Sequence, residues 1–74
     1  MSKWSVMYSY VRAMPDEITA ANMDELCRIV QGIADQRLHY KPKLEFDDFT
    51  DELHVFFTAR NGRRIRFANL QSEG

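Results

Sequence analysis

The chain is predicted to be α+β, one main helix packed on an antiparallel sheet of four or five strands. Three observations predict this. Apolar and polar residues alternate over residues 3–12, 43–47, 53–59 and 63–67, the period of half-buried strands. One stretch beginning at Asn22 repeats its apolar residues every three or four positions, the period of a helix. Asn61 and Gly62 sit between two alternating runs, where a hairpin turns.

In the first run Trp4, Val6, Tyr8 and Tyr10 share one face, and Lys3, Ser5, Met7 and Ser9 the other. Their one-sided placement predicts a strand covered by the helix, with tyrosine hydroxyls reaching the rim. Ala13 to Glu17 carry turn chemistry, and Ile18, Thr19 and Ala20 are expected to return as a short strand. The alternative starts a helix at Pro15, with Asp16 and Glu17 at its positive end. Asn22 followed by Glu25 predicts a capping box. Behind it Met23, Leu26, Cys27, Val30, Ile33 and Ala34 form an apolar stripe, and the helix should fade between Arg37 and Tyr40 ahead of Pro42. Gly32 inside it costs up to about 1 kcal/mol relative to alanine and is expected to permit close approach to a strand.

Leu44 and Phe46 begin a further strand that ends in an acidic loop anchored by a buried Phe49. The register of the last hairpin follows from burial. A two-residue turn at Asn61 and Gly62 would set Phe57 opposite Arg66. A three-residue loop of Arg60, Asn61 and left-handed Gly62 pairs Val55 with Phe67 and Phe57 with Ile65, and puts Phe56 beside Arg66 and Thr58 beside Arg64 on the solvent face. Glu45 and Asp47 join that face if their strand pairs alongside. Residues 1–74 read as a single domain, with 71–74 a frayed tail.

Composition narrows the function classes. The chain is 45% hydrophobic and 28% charged with a formal charge of -1, a globular profile that leaves steering to local patches. There is no apolar run long enough for a membrane helix, and the first five residues lack a signal-peptide core, so a cytoplasmic location without membrane contact is expected. The one cysteine, Cys27, falls in the helical stripe and is expected to be a small buried hydrophobe. Neither histidine has a nucleophile at motif spacing, no glycine-rich phosphate loop occurs, and the acidic run lacks the ligand spacing of a calcium loop. The expectation is a non-enzyme with no cofactor and no metal.

Two charge clusters remain. Arg60, Arg63, Arg64 and Arg66 lie within seven residues beside Phe56, a pattern suited to phosphates, carboxylates or an acidic protein patch. Asp47, Asp48, Asp51 and Glu52 surround Phe49 and could dock on a basic groove. The bland readings are that Glu45 and Asp47 neutralise part of the arginine cluster, and that the acidic run is a solvated loop. A homodimer burying Met7 and Phe56 is a further possibility.

Residues 8–21 lead through a strand and turn into Asn22, Met23, Asp24, Glu25 and Leu26, and residues 57–67 form a basic hairpin. This order of elements resembles small accessory proteins of phages and mobile elements, most closely certain anti-CRISPR proteins with one helix against a curled sheet. The resemblance implies a non-catalytic inhibitor in the host cytoplasm that occupies a surface of a larger protein or ribonucleoprotein complex. A charge of -1 departs from the strongly acidic nucleic-acid mimics of that group. It implies steric blocking by Phe56, the arginines and the acidic loop. The alternative is a small nucleic-acid-binding domain that uses the arginine-rich hairpin, with Phe56 stacking on a base.

Overall fold

A computed structural model describes residues 1–9, 17–38 and 43–73. They form one helix packed against a five-stranded antiparallel sheet, an α+β fold. The strands are β1 (Ser2–Tyr8), β2 (Glu17–Ala20), β3 (Leu44–Phe49), β4 (Glu52–Thr58) and β5 (Arg64–Ser72), and helix α1 (Met23–Arg37) lies between β2 and β3 in the chain. Their order across the sheet is β2-β1-β5-β4-β3.

Alternation decides what each strand buries. Trp4 and Val6 of β1, Ile18 and Ala20 of β2, Leu44 of β3, and Leu53, Val55 and Phe57 of β4 all turn to the helix side. There they meet Leu26, Val30, Ala34 and Leu38, spaced four apart on one helix stripe. Met23, Cys27 and Ile33 flank this stripe half-buried. Burial raises the Cys27 pKa, with help from the carboxylates of Asp24 and Asp48, so the thiol is held in its protonated form.

The helix starts where the capping residues demand. The Glu25 amide donates to Asn22 Oδ1 at 2.9 Å, while Glu25 Oε1 accepts from the Ala21 amide at 3.3 Å, one residue before the cap. At the other end the Leu38 amide donates to the Ala34 carbonyl in a backbone that has already become extended. The short strand expected at Ile18 to Ala20 is present as β2. The turn or helix start at Ala13 to Asp16 lies outside the described residues, as do Tyr10, His39 and Tyr40.

Several expectations are corrected. A Cβ on Gly32 would meet nothing within 4 Å, so this glycine serves no close approach. Gly32→Ala is therefore expected to stabilise the fold by about 0.5–1 kcal/mol, visible as a raised urea midpoint with unchanged slope. Gln71 and Ser72 do not fray: they extend β5, where Ser72 pairs with Trp4 and its amide donates to the Asp51 carbonyl. The Tyr8 hydroxyl is buried rather than at the rim, and burial raises its pKa.

The last hairpin takes the three-residue loop. Ala59 donates to the Arg63 carbonyl, Gly62 donates back to the Ala59 carbonyl, and Gly62 adopts φ 85°, where only glycine is unstrained. Phe57 pairs with Ile65, Phe56 with Arg66 and Thr58 with Arg64. Val55, however, pairs with Ala68 and not Phe67, because a bulge inserts one extra residue into β5. The bulge lets consecutive Phe67 and Ala68 both face the core, which a regular strand cannot do.

Candidate functional site

The helix covers one side of the sheet, and the complementary residues of every strand face outward. Glu17 and Thr19 of β2, Lys3, Ser5 and Met7 of β1, and Asn69 and Gln71 of β5 occupy one half of this open face. His54 and Phe56 of β4, Glu45, Asp47 and Phe49 of β3, and Arg64 and Arg66 of β5 occupy the other. Lys3 pairs with Glu17 across the strands at 3.3 Å. Both signs are mixed over the surface, with Met7 (73% exposed) and Phe49 (53%) its large exposed apolar groups.

Three strands meet at Phe56. Cross-strand pairing puts Glu45 on one flank of its ring and Arg66 on the other, with Arg64 one pleat along. The Arg64 guanidinium lies over the ring, 3.8 Å from its centroid, and reaches across β4 to Asp47 at 3.0 Å and Glu45 at 3.3 Å. Hydrogen bonding to Asp47 comes first among the causes that push the Arg64 pKa further up. Arg66 stands 5.6 Å from the same centroid. Arg64 is thus a clamp, its charge spent on two acids and its plane on an aromatic face. The neutralising role expected of Glu45 and Asp47 is the observed one for this arginine.

The remaining arginines are arranged differently. Arg66 sits beside the clamp, and Arg60 and Arg63 lie at the exposed hairpin tip. Among the described residues Arg63 and Arg66 make no ion pair. Asn61 Oδ1 accepts from the Arg63 amide and fixes the tip.

The acidic run does not gather into one site. Asp47 belongs to the clamp. Asp48 falls on the helix side of β3, where its charge reaches Cys27. Asp51 occupies the β3–β4 turn with φ 63°, a left-handed position that aspartate tolerates better than most residues. Phe49 is not buried. It shares the strand parity of Glu45 and Asp47, so it projects outward against the His54 ring at 4.7 Å. Alternation from Leu44 already assigned it to that face, and its apolar character misled the expectation. Among the described residues no group of His, Cys, Asp or Glu could hold a metal ion. No helix among them is long and apolar enough to cross a membrane.

No family model matches this chain, and no curated protein or solved structure does so either.

Proposed function

We propose that this chain is a non-catalytic protein-binding module that docks through the open sheet face and its arginine hairpin. In the narrower form suggested by its resemblance to phage accessory proteins, it blocks a host defence complex in the cytoplasm by steric occlusion. The carrying observation is the clamp: Arg64 covers the Phe56 ring and is itself held by Glu45 and Asp47. That ring face is occupied and is not offered to a nucleobase, which speaks against single-strand stacking. The surrounding charges alternate in sign, whereas a phosphate backbone favours a continuous basic stripe. A rigid surface of mixed charge suits a protein partner, for which complementary patches set orientation and encounter rate.

Two measurements test this reading. Fluorescence anisotropy with single-stranded and duplex oligonucleotides should show no binding tighter than non-specific, about 10⁻⁴ to 10⁻⁶ M at physiological salt. Tight binding that falls steeply as salt rises would instead assign the hairpin to nucleic acid. In bacteria with an active CRISPR system, expression of the chain should restore plating of a targeted phage. Unchanged plating against each system tested removes the inhibitor reading.

A further inference from the structure

Where Met7 and Asn69 pair across β1 and β5, beside Ser5 and Gln71, the open face sinks into a groove of about 350 Å³. Val6 and Leu70 send their side chains into the core, so their backbone contributes the floor. Glu52 closes the β4 side with a half-exposed carboxylate. The lining contains one carboxylate, two amides and a hydroxyl, and no cationic side chain. The Nε2 of His54 is 3.9 Å from Glu52 Oε1. Asn69 Oδ1 is buried without a hydrogen-bond partner, an acceptor whose requirement the fold leaves unmet. Met7, an exposed side chain, stands at the rim as an apolar wall.

From this arrangement we propose, resting on the protein-binding reading above, that the groove receives the guanidinium of an arginine side chain presented by the partner. The acceptors surround a cleft that admits one long side chain, and a guanidinium supplies five donors in a plane. Its charge answers Glu52, and its weak hydration lowers the cost of entering a half-closed site. A turn of the Asn69 amide lets the cation satisfy the orphan oxygen, while the aliphatic stem lies along Met7. Together with Arg66 at the hairpin end of the same face, the groove gives the surface two points of opposite sign, which fixes the partner's direction as well as its position.

The test is an NMR titration of the isotopically labelled full chain with N-acetyl-arginine methylamide, beside the lysine and norleucine derivatives. Saturable shifts of the Asn69 and Gln71 side-chain amides and of the Met7 methyl are expected with the arginine probe, with weaker binding of lysine. Glu52→Gln should lower the affinity about tenfold with the rest of the spectrum unchanged. The proposal is overturned by an absence of saturable shifts, by lysine or norleucine matching arginine, or by an unaltered affinity in Glu52→Gln. It is equally overturned if the groove signals move with protein concentration alone, which would assign the site to a second copy. Loss of probe binding in a chain that still restores phage plating overturns the groove and leaves the docking function standing. The reverse outcome separates them in the other direction.

Discussion

Val30→Asp is expected to leave the chain unfolded at neutral pH. Val30 is 1% exposed at the centre of the helix stripe, amid the core side chains of the sheet. An aspartate there either keeps its charge in an apolar interior or takes up a proton at the expense of a strongly raised pKa. The cost is about 4 kcal/mol or more. A domain of this size has in all roughly 4–11 kcal/mol of stability, at about 0.05–0.15 kcal/mol per residue. The penalty therefore takes most or all of it. Because the folded-state pKa would lie above the unfolded value, the ionisation part of the penalty grows as pH rises from the unfolded towards the folded pKa and is large at neutral pH. It disappears as pH falls below the unfolded pKa of about 3.9. Circular dichroism should show a disordered chain at pH 7 with structure partly regained near pH 4. A variant folded at both values would mean that α1 presents a different face. Arg28→Asp, on the exposed side of the same helix, should cost no more than about 1 kcal/mol.

The largest effect on binding is expected from Arg63→Glu combined with Arg66→Glu. These guanidiniums are exposed and make no ion pair among the described residues, so their reversal alters the docking surface and, beyond it, only the 5.6 Å contact of Arg66 with the Phe56 ring. A loss of about a hundredfold or more in partner affinity is expected, roughly tenfold for each reversed charge, with an unchanged unfolding midpoint. Restored plating of the targeted phage should vanish with it. Arg64→Glu is a different experiment. It would set a third carboxylate against Glu45 and Asp47 and strip the cover from Phe56, so a loss of binding there would mix a local disturbance of the sheet with the loss of a contact. A double variant of Arg63 and Arg66 that is folded and still binds with full affinity would take the hairpin out of the interface.

Parts of this molecule are legible because the physics that sets them is local. Asn22 and Glu25 announce the start of α1 through hydrogen bonds spanning three and four residues. Pro42 restricts the backbone ahead of it and marks where a helix cannot continue. Gly62 permits the left-handed backbone of a three-residue loop, and that loop sets Phe56 beside Arg66. Period-two alternation also contained the correct answer for Phe49, which lies in phase with Glu45 and Asp47. The error came from ranking hydrophobicity above phase.

Other features depend on neighbours far along the chain. The phase slip at Phe67 and Ala68 becomes a bulge only because β4 and β1 both pair with β5 and must each present apolar residues to the helix. The groove requires Ser5 and Met7 to stand beside Gln71 and Asn69, a pairing between the two ends of the chain with no signal in either segment.

From its own order of residues, the chain determined one helix, its capped start, the strand periods and a hairpin with arginines facing water, since each follows from the backbone and side-chain preferences of a few adjacent residues. Tertiary structure alone decided that Arg64 is held by Asp47 and Glu45 over Phe56 while Arg66 keeps only a longer contact with the ring, and that the acidic run is divided between two faces. The reason is geometric: a side chain's partners are chosen by strand order and register, which bring together residues that no short-range rule connects.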